Sequence, residues 1–357
     1  MEAQLNALLP LYERERAAGR PLALAIVVHT EGSTYRKPGA LMVIAGDDSY
    51  AGLLSGGCLE SDLREHARSV IETGRAHTVR YDTGGTDDAL WGLGVGCEGA
   101  MHILIVRVGH EQKWEPLDYL ARALAEHRPA AFGITVESRA PALPVGSILL
   151  PARAPQLELT DREELERLLE RAARSGQPGS LRTSALGILA VPLALPPRIL
   201  LLGGGPDALP IADLAARLAW KVTVYDHRPS YAERAHFPAA EHVLLARPED
   251  LAGSVDLGAY EAAVVMSHHL PSDLEYLRAL AASDLPYVGL LGPPHRREKL
   301  LADLGAAAQR LHGRLRAPVG LDLGGRTPEA IALAIVAEIH AYLHLRHGGP
   351  FGDRAGP

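Results

Sequence analysis

The chain has 357 residues, of which 47% are hydrophobic and 22% charged, and its formal net charge is -7. That length suffices for two domains, each with a core of its own; the mild acidity leaves no electrostatic footprint for nucleic acid, and no apolar run reaches the roughly 18–20 residues of a membrane span. Two cysteines are too few for a disulfide framework or a cysteine-built zinc site, and Met1-Glu2-Ala3-Gln4 lacks the basic-then-apolar pattern of a secretory leader, so a cytoplasmic protein is expected.

Residues 3–18 space Leu5, Leu8, Leu9 and Tyr12 on one face of a helix that Pro10 is expected to kink or split. Arg20-Pro21 ends it, and Leu22–Val28 reads as a buried strand. That strand runs into a loop of hydroxyl and basic residues, His29 to Gly39, which carries Ser33, Thr34, Arg36 and Lys37. Ala40–Ala45 is a second strand, Gly46–Ser49 a turn, and Leu53-Leu54 the edge of a third strand. The stretch Ser55-Gly56-Gly57-Cys58-Leu59-Glu60 then passes from strand end to helix start through two glycines and a cysteine. This order sets the Cys58 thiol at or just before a helix N-terminus, where unpaired N–H groups and the helix dipole favour anions and lower a thiol pKa. It is equally compatible with a tight turn around a small buried cysteine. If the strands before 32–39 and 55–58 are neighbours, both loops open on one sheet edge, where α/β proteins commonly bind ligands.

Asp62–Thr73 reads as helix and His77–Tyr81 as strand. After Trp91, Gly92 to Gly99 packs four glycines into eight residues around the second cysteine, Cys97, ahead of the strand Met101–Val108. Two glycine-flanked cysteines in one half of the chain point to a shared site or to a transient redox pair. Residues 115–127 look helical. Strand patterns at 129–139 and 145–150 echo those at 21–31 and 38–43, a weak internal repeat (21–45 against 129–152) whose second copy lacks the hydroxyl and basic loop. Asp161–Ser175 is a charged helix, and Val191 to Pro197 a stiff proline-rich connection at which the first domain, 1–194, is expected to end.

Arg198–Leu202 is a buried strand that runs into Gly203-Gly204-Gly205-Pro206-Asp207-Ala208; a helix over 211–219 and a strand over Lys221–Tyr225 follow, with Asp226 at the strand end. Glycines in this spacing between strand and helix, with an acidic residue about twenty positions on, match the dinucleotide fingerprint. Loop amides would take a pyrophosphate, and Asp226 would accept from ribose hydroxyls. Strand patterns at Val243–Leu245, Ala262–Met266 and Tyr287–Leu291 alternate with helices as far as a last helix capped by Thr327-Pro328-Glu329. A doubly wound parallel sheet is therefore expected over 195–345, with 346–357 as a flexible tail. Ser267-His268-His269 and Gly292 to Arg297 both follow strands and should line the C-terminal edge of that sheet. The two histidines are either hydrogen-bonded surface residues or proton donors and acceptors, though nothing in the sequence pairs them with a carboxylate. Arg296, Arg297 and Lys299 either hold phosphate or form a solvated face.

As a set, Thr30–Ala40, Ser55–Glu60, Gly94–Gly99, Leu202–Asp226, Tyr287–Gly292 and Leu315–Gly324 resemble the XdhC/CoxI family, the maturation factors of molybdenum hydroxylases such as xanthine dehydrogenase and carbon monoxide dehydrogenase. The resemblance covers both ends of the chain in order, and residues 111–190 match loosely. It implies an N-terminal α/β domain that handles cofactor, followed by the Rossmann-like domain. It also implies a cytoplasmic homodimer that binds molybdenum cofactor (molybdopterin), protects it while a cysteine desulfurase installs the terminal sulfido ligand, and hands it to a xanthine dehydrogenase-like client. Such a protein is a chaperone more than an enzyme. For this ligand the chain offers Ser33, Thr34, Arg36, Lys37, Ser55, Gly56, Gly57 and Glu60, with Cys58 as a contact to molybdenum or a sulfur carrier and Cys97 as its partner. Ser267-His268-His269 stands where the family usually has Thr-His-Asp, and Glu98 replaces the first of two glycines after the second cysteine. Two other readings remain: an NAD(P)-dependent oxidoreductase built on Gly203, Gly204, Gly205 and Asp226, and a thiol redox protein built on Cys58 and Cys97.

Overall fold

The computed structural model describes residues 5–55, 57, 59–82, 99–151 and 157–350, and the chain divides after Leu195 into two units. In the first, α1 (Leu5–Ala17) leads into β1 (Leu22–Gly32), β2 (Leu41–Ala45) and β3 (Tyr50–Gly52). Helix α2 (Glu60–Thr73), β4 (His77–Asp82) and β5 (Gly99–Val108) complete a sheet ordered β3-β2-β1-β5-β4. Side chains alternate along β1: Leu22, Leu24 and Ile26 enter a core with α1, while Ala23, Ala25 and Val27 enter another beneath α2. A strand buried on both faces shows a continuous apolar run instead of alternation. Helix α1 continues through Pro10 as one helix. The proline removes one hydrogen bond, and buried Leu5, Leu8, Leu11 and Tyr12 hold the helix on both sides of it.

After α3 (Leu117–Ala125), the strands β6 (Ala131–Ser138) and β7 (Ile148–Leu149), the helix α4 (Leu159–Ser175), and the strands β8 (Gly179–Arg182) and β9 (Leu186–Pro192) build a second sheet, ordered β7-β6-β9-β8. Its succession of strands and helix, and its strand order, parallel those of β1, β2, α2, β4 and β5. Local details recur as well. Val27 N–H donates to the Ala40 carbonyl and Gly39 N–H to that of Val27, just as Thr135 N–H donates to the Ser147 carbonyl and Gly146 N–H to that of Thr135. Gly39 has φ 90° and Gly146 φ 91°, and the central pairing slips in register after Val27 and again after Thr135. The two sheets share a core that includes Leu24, Ile26, Leu104, Phe132, Ile134, Leu189 and Val191, and α4 covers the far face of the second sheet. Val191-Pro192, expected as linker, ends β9. Pro192 lies opposite Ala131 and beyond β8, whose pairing stops at Ala190, so the ring occupies a strand end where no second ladder needs its N–H.

In the second unit β10 (Arg198–Leu202), β11 (Lys221–Asp226), β12 (His242–Leu245), β13 (Ala262–Val265), β14 (Val288–Leu290) and β15 (Leu315–Arg316) are parallel, in the order β12-β11-β10-β13-β14-β15. Helices α5 (Ala208–Arg217) and α8 (Pro328–Leu343) pack on one face, and α6 (Leu270–Ala282) and α7 (Pro294–Leu304) on the other. This is the Rossmann strand order, with its switch point between β10 and β13. Thr327 caps α8, its hydroxyl accepting from Ala330 N–H at 3.3 Å. Among the described residues no helix is long and apolar enough to cross a membrane.

Candidate functional site

Strand direction decides where the motif loops of the first unit fall. β2 runs antiparallel to β1, and β3 antiparallel to β2, so β1 and β3 end at the same edge although β2 separates them. β5 runs antiparallel to β1 and starts at that edge, with Gly99 opposite Gly32. The two loops therefore open together without their strands being neighbours, and the start of β5 joins them. Two contacts tie the three pieces. Arg36 Nε donates to the Leu53 carbonyl at 3.2 Å. A Cβ at Gly99 would lie 2.5 Å from the Glu31 carbonyl oxygen and 2.6 Å from that of Ser33, an approach only glycine permits. Gly56, Cys58 and Cys97 lie outside the described residues.

Within the first loop, Thr34 Oγ1 donates to the Arg36 carbonyl at 2.9 Å, and Lys37 Nζ reaches Thr34 Oγ1 at 3.5 Å. Ser33 and Lys37 are exposed. Arg36 is half-buried, with its guanidinium 5.4 Å over the exposed Tyr35 ring; its terminal nitrogens donate to no partner among the described residues. The loop thus presents two cations and a hydroxyl at the shared edge.

The second loop is a closed clasp. Glu60 is the first residue of α2 and 2% exposed. Its Oε1 accepts from Ser55 N–H at 2.9 Å and its Oε2 from the Ser55 hydroxyl at 2.5 Å; Ser55 Oγ in turn accepts from the amides of Gly57 at 3.2 Å and Leu59 at 3.1 Å. Burial pushes the Glu60 carboxyl up, but the Ser55 hydroxyl and surrounding amides outweigh burial and hold it below the usual glutamate range. Glu60 is thus the anion at this helix start, and the amides of Ser55, Gly57 and Leu59 are turned inward. Gly57 is exposed at φ 110°, a conformation that favours glycine. A neighbouring network escapes sequence reading: Tyr81 donates its hydroxyl to Asp62 Oδ2 at 2.5 Å, His66 Nε2 lies 3.5 Å from the same oxygen, and the His66 ring stacks on His77 at 4.9 Å. The i,i+4 spacing of Asp62 and His66 is its one visible sign.

In the second unit the glycine loop sits at the switch point. Gly203, at φ 129°, presses against Met266 and Ser267 after β13, where a Cβ would meet backbone atoms at 2.6 Å. Asp226 is not open to a ribose: its side chain is fully buried, and its oxygens accept from Gly204 N–H at 2.8 Å and from Arg228 N–H, Nε and Nη2 at 2.8, 2.9 and 2.7 Å. His268 Nε2 lies 2.9 Å from Asp207 Oδ2, a pairing across the switch point that strand order alone reveals. His269 Nδ1 lies 2.9 Å from Ser272 Oγ. Ser267 donates to Asp273 Oδ1 at 2.5 Å, and Arg296 Nη2 to Asp273 Oδ2 at 2.7 Å. Arg296 is therefore committed to a buried carboxylate, while Arg297 and Lys299 are exposed. Among the described residues no group of three or more His, Cys, Asp or Glu is placed to hold a metal ion.

These features define a two-unit α/β protein, with motif loops gathered at one edge of an antiparallel sheet and a Rossmann unit in the same chain. Residues 15–82 match the model of the XdhC and CoxI family, and residues 199–339 that of the XdhC Rossmann domain. A probable xanthine dehydrogenase subunit of Bacillus subtilis (strain 168) is 31% identical over 316 residues, 88% of this chain and 91% of that protein. The molybdenum cofactor insertion chaperone PaoD of Escherichia coli (strain K12) is 23% identical over 325 residues, 90% of this chain and 83% of that one. The crystal structure of a xanthine dehydrogenase from Bacillus halodurans matches with a TM-score of 0.72 at 26% identity, over 98% of both chains. The chain belongs to the XdhC/CoxI family.

Proposed function

We propose that this chain is a molybdenum-cofactor carrier. It holds the cofactor at the loop edge of the first sheet while a cysteine desulfurase installs the sulfido ligand, then passes it to a xanthine dehydrogenase-type apoenzyme. The observation that carries the reading is the meeting of two motif loops and the start of β5 at one edge, tied by Arg36 to Leu53 and by Gly99 against Ser33. The cargo is anionic, with a phosphate, a dithiolene and an oxo-metal centre. Arg36 and Lys37 supply cations, and Ser33 and Thr34 hydroxyls, for the phosphate end. Cys58 is assigned to the metal or to transferred sulfur, with Cys97 as its partner, because thiolates are the soft ligands this chain owns. Ser55, Gly57 and Glu60 act one step back, shaping the loop that carries Cys58. The relatives named as an insertion chaperone and as a xanthine dehydrogenase subunit support the same role and client class. The carrier works in the cytoplasm as a homodimer and turns nothing over by itself.

Protein purified from a molybdopterin-producing host should retain pterin, and protein from a deficient host none. Arg36→Ala should reduce retention about tenfold or more, the loss of a charge-assisted contact. Cys58→Ser should abolish sulfuration of the client; undiminished pterin retention together with undiminished sulfuration removes the Cys58 assignment. Sedimentation of the purified protein as a monomer removes the homodimer.

A further inference from the structure

A Rossmann unit implies a dinucleotide, and the residues at the end of β11 disagree with one. The fold reads the adenosine ribose with the acidic residue that ends the second strand, while loop amides face the pyrophosphate. Here the acid is Asp226. A carboxylate offers about four lone-pair sites, and Gly204 N–H with three donors of Arg228 fill them. The Asp226 side chain has no exposed surface. Burial raises its carboxyl, but the Arg228 guanidinium and the two amides outweigh that and keep it ionised. The Arg228 guanidinium also lies 4.2 Å over the Tyr231 ring, and the short turn Pro229–Tyr231 brings its last carbonyl onto the loop, where a Cβ at Gly204 would fall 2.0 Å from that oxygen. Space at the neighbouring Gly205 stays open, so the closure is confined to the ribose end.

We infer that Arg228 is a built-in occupant of the ribose-reading position: held between Asp226 and Tyr231, it locks the glycine loop, and the unit takes neither NAD(H) nor NADP(H) there. To seat a ribose, the chain must give up a two-pronged pair of opposite charges for two hydroxyl contacts in which only the carboxylate is charged, and leave the half-buried guanidinium without its partner. It must also lift the turn from Gly204. The inference is independent of the carrier reading, because its residues and its readouts lie in the other unit.

The test titrates the purified full chain with NADH and with NADPH, following nucleotide fluorescence. No saturable change is expected up to about 1 mM of either, the range in which a working site would saturate. Saturation below that concentration overturns the inference, and NADPH is the sharper probe because a freed Arg228 would suit its extra phosphate. The lock has its own readout in hydrogen exchange. Arg228→Ala should speed exchange at the Gly204 amide about tenfold or more, since Asp226, the acceptor of that N–H, is no longer held by the guanidinium. Arg228→Lys keeps the charge but not the fork, and should fall between the two. Exchange equal to wild type in both variants also overturns it.

Discussion

Glu60 and Asp226 do the same physical work in different folds: each is a buried carboxylate beside a glycine loop, stabilised in its charged form by hydrogen-bond donors of its own chain. Each is held below its usual range, so each favours folding above the unfolded pKa, about 4 for carboxylates, and loses that contribution as pH falls through the lower folded value. Glu60→Gln should therefore cost about 1–3 kcal/mol at neutral pH, the size expected when a charged hydrogen bond is lost and a buried donor left poorly matched. Urea unfolding should show that gap constant down to about pH 5 and narrowing below about pH 4; a gap unchanged at pH 3 contradicts the role given to Glu60. The sequence marks Ser55, Glu60 and Asp226 as polar residues beside glycines, and so as site candidates. It does not show that their partners are internal. Arg228 stands two residues from Asp226, but whether it turns back onto the carboxylate or out to solvent depends on the turn at Pro229–Tyr231.

Among the elements, the echo between 21–45 and 129–152 corresponds to two sheets with the same succession, the same register slip and the same positive-φ glycine. We propose that they arose by duplication, the second copy keeping the scaffold and losing the loop chemistry. Gly146 shows how tightly that scaffold is used: a Cβ there would lie 2.6 Å from Ala76 Cβ and 2.9 Å from Val106 Cγ1, at φ 91°. Gly146→Ala should cost about 2–4 kcal/mol through combined overpacking and backbone strain. Gly176→Ala, at φ 63° with nothing within 4 Å of the new methyl, should cost only about 1 kcal/mol. Equal shifts of the urea midpoint in the two variants would count against steric packing as the cause. β9 is hidden in the sequence for a related reason: the prolines at 192, 196 and 197 read as linker, although Leu186–Val191 is an apolar run of strand length. Paired strands fix where a proline is harmless, and pairing is a non-local fact.

At the scale of the whole chain, the cores do not mix. Among the described residues, the buried members of one set all fall between Leu5 and Leu193, and those of the other from Ile199 onward. Each unit therefore buries its apolar faces with its own strands and helices, the condition for folding alone. A fragment beginning at Pro196 should unfold in a single cooperative urea transition; a gradual one would mean that its core needs the first unit. The complementary fragment 1–195 decides where the cargo sits. Every residue proposed above for the molybdenum cofactor lies in it. Purified from a molybdopterin-producing host, fragment 1–195 should keep pterin within about threefold of the full chain, a difference of well under 1 kcal/mol. Retention more than about tenfold lower, in a fragment that still unfolds cooperatively, would assign part of the binding site to the Rossmann unit.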